Sequence, residues 1–135
     1  MRAAVVASAL ALTAVPALAG SIFDYGHMAD AKVILNGRTF EITVHGKRDT
    51  MMLQPTMGGA WSLSDPPGKW PLPVWRKAAE AFVSSAGCGI SDIVARGIKT
   101  AGTWEATFVC PAGIDLHELV AEQRVELRRG QPLHP

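Results

Sequence analysis

The chain is short of the features that usually announce an activity. Among 135 residues there are two cysteines and one tyrosine, too few thiols for a disulfide-dense scaffold or a four-thiolate zinc site. Neither sign of charge dominates, with thirteen Lys and Arg against twelve Asp and Glu. A balanced surface removes the electrostatic argument for nucleic acid or an anionic membrane as partner. Beyond Gly20 no apolar run is long enough to span a bilayer, so no stable insertion is expected from that part. Internal repeats and low-complexity stretches are lacking. Gly58-Gly59 has no following lysine and hydroxyl residue, and neither a His-Glu-x-x-His pair nor a Gly-x-Ser-x-Gly elbow occurs. No cofactor is implied.

What is present begins at the N-terminus. Met1-Arg2 leads into an apolar run from Ala3 to Val15, then Pro16 and Ala17-Leu18-Ala19 ahead of Gly20. A basic head, a short apolar segment and an Ala-x-Ala site predict a signal peptide over 1–19, removed on export to the periplasm or beyond. No cysteine follows Ala19, so no lipid anchor is suggested. About 116 residues would remain, which is one domain. In an oxidising compartment Cys88 and Cys110 are expected to pair. In the chain-entropy account such a bridge contributes about 3 kcal/mol. The two lie too far apart for a Cys-x-x-Cys redox centre.

The pattern downstream predicts an α+β fold. Residues 20–30 read as an extended arm, 31–130 as a single domain and 131–135 as a flexible tail. Asn36-Gly37 between Ala31–Leu35 and Arg38–Val44 predicts a tight hairpin in which Leu35 meets Arg38, Val33 meets Phe40 and Ala31 meets Ile42. Those residues and Val44 form an apolar face, leaving Thr39, Glu41 and Thr43 free to meet water. Thr50–Gln54 reads as a third strand. The Gly- and Pro-rich stretch 56–71 reads as a surface loop pinned by its tryptophans. Trp75, Ala78, Ala79, Phe82 and Ala86 recur at helical spacing over 73–86, with Gly87 as the stop. Segments 88–98 and 103–110 form a second hairpin. Asp115 and Glu118 mark a capping box for a helix over Leu116–Arg129, although 124–128 also alternates like a strand. The expected order is β-β-β-α-β-β-α: an antiparallel sheet of about five strands, two helices and one disulfide.

Candidate chemistry is sparse. Periplasmic copper or another soft metal would want thioethers and imidazoles, and His27, Met28, His45, Met51, Met52 and Met57 supply them. Hydrolysis would need Ser62, Ser64 or Ser91 beside His45 or His117, with Asp65 or Asp92 as orienting group. Sugar cleavage would need a carboxylate pair such as Glu105 and Glu118, whose spacing in the sequence fixes no separation. His134 falls in the tail. Arg124, Arg128 and Arg129 are interleaved with Glu122 and Glu126 and define no anion site. The most unusual material is aromatic: Trp61, Trp70 and Trp75, interspersed with glycine and proline, make a rigid contact surface at low entropic cost. The expectation is therefore a non-catalytic binding or accessory module for an envelope protein or cell-wall component. A soft-metal binder and a small hydrolase are the alternatives.

Overall fold

Asn36 and Gly37 both take positive φ, 51° and 77°, and close the first hairpin as the Asn-Gly pair predicts. The computed structural model describes residues 25–26, 28–56, 65–96 and 102–135. The expected signal peptide, the start of the arm, His27, Met57–Ser64 and residues 97–101 lie outside the described residues. Strand β1 (Ala31–Leu35) pairs antiparallel with β2 (Arg38–Val44), placing Leu35 on Arg38, Val33 on Phe40 and Ala31 on Ile42. Strand β3 (Thr50–Pro55) returns beside β2, with Val44 opposite Met51. The chain then passes through a 3-10 turn (Pro67–Lys69) and helix α1 (Leu72–Ser84) to the far edge of the sheet. There β4 (Gly89–Ala95) forms, and β5 (Trp104–Val109) folds back between β3 and β4. The order β1-β2-β3-β5-β4 is antiparallel throughout. The β4–β5 register shifts between Ile90 and Asp92.

Both helices cover one face of this sheet. From α1, Trp75, Ala78, Ala79, Phe82 and Val83 are buried. Helix α2 (Leu116–Arg128) contributes Leu116, Val120 and Leu127. These pack with Phe40, Ile42, Met51, Leu53, Ala106 and Phe108 in a single core. The Asp115 carboxylate caps α2 by accepting from the amides of His117 and Glu118 at 3.1 and 3.3 Å, and the helix continues through 124–128, the stretch that also alternates like a strand. Cys88 and Cys110 form the disulfide with Cα atoms 4.2 Å apart. The bond joins the exit of α1 to the end of β5.

An aromatic knot fills the core beneath the first hairpin. Phe40 meets Trp70 and Trp75 edge-on, each at 5.3 Å between ring centres. Trp104 stacks on Trp75 at 6.3 Å. Indole nitrogens still need acceptors when buried. Trp75 donates to the Trp70 carbonyl at 3.2 Å, and Trp70 to that of Asp65 at 3.1 Å. Gly102, at φ 66°, lies against this knot, where a Cβ would come within 3.2 Å of the Trp75 ring.

The ends of the domain extend beyond the expected boundaries. Tyr25 and Asp30 are buried in the part read as an arm, and Leu133 is buried in the part read as a tail. Asp30, 1% exposed, accepts from the Val44 amide at 2.8 Å and from Arg124 Nε at 2.7 Å. Gln123 holds the backbone of His134 through both atoms of its amide. These long-range bonds carry no local periodicity, so strand and helix patterns do not disclose them.

Candidate binding groove

A groove of about 390 Å³ opens between the first hairpin turn and the N-terminal half of α1. Its position follows from two local patterns. The tight turn at Asn36-Gly37 sets Leu35 and Arg38 side by side. On α1, Pro73, Arg76, Lys77 and Glu80 recur at the three- and four-residue spacing that aligns one helix face. This stripe is distinct from the buried one headed by Trp75. Leu35, Pro73 and Val74 supply apolar lining; Arg38, Arg76 and Lys77 are cationic, and Glu80 is the single carboxylate among the lining residues. Helix α1 has no acidic residue in its first turn and no side-chain cap, so its dipole adds positive potential at the same end.

The cations differ in how they are held. Arg38 Nε and Nη2 donate to the two Asp65 carboxylate oxygens at 3.2 and 3.1 Å, and its guanidinium lies 5.1 Å from the centre of a Trp70 ring. The bond from Arg38 holds the Asp65 carboxyl below its ordinary range. Arg76 pairs with Glu80 at 3.4 Å and donates to the Ile90 carbonyl at 3.3 Å. Lys77 is exposed. Two of the three cations are thus pre-positioned, and the third is a mobile ammonium on a long stem.

A second polar cluster occupies the sheet face opposite the helices. Glu105, 7% exposed, accepts from the Tyr25 hydroxyl at 2.7 Å and from Arg96 Nε at 3.2 Å. Arg48 Nη2 stands 3.8 Å from the same carboxylate. The Tyr25 oxygen also bonds Thr50 Oγ1 at 2.7 Å. Burial pushes the Tyr25 phenol above its ordinary range, and the bond to Glu105 and its charge push it further. The Thr50 bond and Arg48 oppose them. Tyr25 is therefore a neutral donor that fastens the N-terminal segment to the sheet. Thr43, expected to be free to meet water, is buried on this face together with Met52.

The residues singled out from sequence disperse. Trp70 and Trp75 are 5% and 0% exposed; their indoles lie on the helix-covered side and present no contact surface. Trp61 lies outside the described residues, as do His27, Met57, Ser62 and Ser64. Met51 faces the core, Met52 faces the opposite side of the sheet, and Met28 is 77% exposed. His45 Nδ1 accepts from the amides of Lys47 and Arg48 at 3.0 and 2.9 Å, and the ring packs edge-on against Tyr25 at 5.2 Å. Among the described donors, Met51 and Met52 are therefore parted by the sheet. Among the described residues no group of three or more His, Cys, Asp and Glu can hold a metal ion.

The hydrolase constellation is likewise separated. His117 Nε2 sits 3.0 Å from Asp49 Oδ1, beside a cleft of about 290 Å³ whose lining contains no serine. Ser91 instead donates to the Thr107 carbonyl at 3.3 Å, and Asp92 follows it on exposed strand. Asp65 serves Arg38. Glu105 and Glu118 belong to opposite sides of the sheet, one beneath Tyr25 and the other on α2.

The groove residues were not legible beforehand, because Leu35–Arg38 and Pro73–Glu80 meet only after the chain has crossed the sheet. The adjacent Arg76-Lys77 on the outer flank of a predicted helix was the one available signal. The chain matches no family model, no curated protein and no solved structure. The described helices include none long and apolar enough to cross a membrane.

Proposed function

We propose that this is an exported, non-catalytic binding module that docks a protein of the cell envelope through the groove between the first hairpin turn and α1. The observation that carries the reading is the groove itself: apolar lining from Leu35, Pro73 and Val74 beside two ion-paired arginines and the exposed Lys77, on a part of the fold whose aromatic core is already filled. Its volume lies in the range of ligand-binding clefts, about 300–1,000 Å³. Export is supported by the N-terminal sequence, and a formed disulfide suits an oxidising compartment. Less supports the alternatives: Met51 and Met52 point to opposite faces of the sheet, and Ser91 donates to the Thr107 carbonyl.

A photo-crosslinking amino acid placed at Val74, inside the groove, tests this in the native host. Val109 serves as control, being 60% exposed on the opposite sheet face at the far end of β5. One discrete adduct is expected from position 74 and none from 109. The adduct should weaken when the exposed Lys77 is replaced in Lys77→Glu, without a change in the melting curve. Equal labelling from both positions, or none from position 74, overturns the docking assignment. Sequencing the recovered protein from its N-terminus should find Gly20 first.

A further inference from the structure

We infer that Cys110 is the entry thiol through which a thiol–disulfide oxidoreductase of an oxidising compartment closes the Cys88–Cys110 bond, with Cys88 as the resolving thiol. The two cysteines are reached unequally. Cys110 is half-buried and lines the cleft of about 290 Å³ between the end of β5 and the start of α2, together with Asp49, Ile114 and His117. Cys88 is 6% exposed and belongs to the core with Val83 and Ala86. Its amide donates to the Val83 carbonyl at 3.1 Å. Pro111, the residue after Cys110, lies beside Gly87, where a Cβ would come 3.7 Å from the proline Cγ. One cysteine of the pair thus borders an opening and the other the interior.

Thiol–disulfide exchange makes that difference decisive. It runs through a mixed disulfide in which the attacking and leaving sulfurs stand on opposite sides of the central one. With Cys110 central, Cys88 attacks from the core side and the catalyst's sulfur departs into the cleft. With Cys88 central, the catalyst's sulfur would have to sit within the core. Closure balances in two steps. The Cys110 thiolate attacks one sulfur of the catalyst's disulfide and releases the other as a thiolate. The Cys88 thiolate then attacks Cys110 Sγ and expels the catalyst's first sulfur. Two thiols of this chain are oxidised, and the catalyst's disulfide is reduced to a dithiol that takes up the two protons they release. Charge formed at Cys110 meets a polar rim, whereas charge at Cys88 costs burial. Proximity offsets that cost, since the two Cα atoms lie 4.2 Å apart. Exchange ends once the bond is closed, so the finished chain holds no standing partner at the neighbouring Val109.

Opening passes through the same mixed disulfide in reverse, so the intact, folded chain tests this without a variant. The oxidised mature chain is pulsed with reduced glutathione in native buffer and quenched with excess N-ethylmaleimide, and peptide mass spectrometry locates each adduct. Glutathione on Cys110 with maleimide on Cys88 should exceed the reverse arrangement at least about tenfold. In concentrated urea the two arrangements should agree within about twofold, because both sulfurs are then open to attack. Comparable amounts in native buffer, or glutathione mainly on Cys88, overturn the assignment. A bias that survives urea overturns it too, since it would belong to the flanking residues and not to the cleft. So does a bond that glutathione opens in urea but leaves untouched in native buffer, because the cleft would then give no access.

Discussion

On the helix-covered face of the sheet, Phe40, Ile42, Met51, Leu53 and Ala106 are shut away from water by α1 and α2. On the opposite face, Thr43, Met52 and Glu105 are buried as well, yet neither of the described helices covers them. The first face is held by apolar area and ring packing, which need shape but no directed bonds. The second depends on a shared carboxylate whose partners must all be in place, because an unpaired buried charge is expensive. Tyr25, Arg96 and Arg48 reach it from three separate stretches of chain. Burial on one sheet thus arises by two routes, one tolerant of small shifts and one dependent on individual atoms.

The difference can be broken from either side. The largest effect is expected from Trp75→Ala, which empties the centre of the aromatic knot and leaves Gly102 and Phe40 without their neighbour. It should cost about 3–5 kcal/mol in urea unfolding. A change below about 1 kcal/mol would mean that the knot is loosely packed. Next comes the paired replacement Cys88→Ala and Cys110→Ala. It leaves both sheet faces intact but frees the exit of α1 from β5, and should cost about 3 kcal/mol by the same measurement.

Tyr25→Phe sharpens the comparison with the smallest change, a single oxygen on the face without helices. Glu105 and Thr50 each lose a partner, at an expected cost of about 1–2 kcal/mol. Its pH dependence identifies the cause. The fold favours the neutral phenol, so the stabilisation is complete below the ordinary tyrosine range and is lost as pH rises through about 10 and beyond. Unfolding free energy measured from pH 8 to 11 should fall more steeply in the parent than in Tyr25→Phe. Parallel curves would show that Tyr25 ionises as freely in the fold as in the unfolded chain.

Local pattern carried most of the secondary structure. The hairpin register at Leu35–Arg38 follows from Asn36-Gly37, and the buried stripe of α1 follows from apolar spacing, because both depend on neighbours within a few residues. Helix α1 starts at Leu72, one residue before the expected position, and ends at Ser84, two before it. The same aromatic residues invited the wrong surface. A tryptophan among glycines and prolines looks available for contact, and only the packing on Phe40 shows Trp70 and Trp75 to be interior. Two of the methionines part company for a related reason. Neighbours on a strand, such as Met51 and Met52, necessarily point to opposite faces.

Sequence by itself determined the order of elements, the tight first turn, the apolar stripes and the cysteine pair, all of which are governed by short-range geometry or by there being only two thiols. Tertiary structure alone decided that Tyr25 and Asp30 belong to the domain, that Glu105 gathers donors from three segments, and that Arg38 comes to stand across a groove from Lys77. Those relations join residues far apart along the chain. They exist only once the sheet has closed, because a side chain's direction is local whereas its neighbour is set by the path of the whole fold.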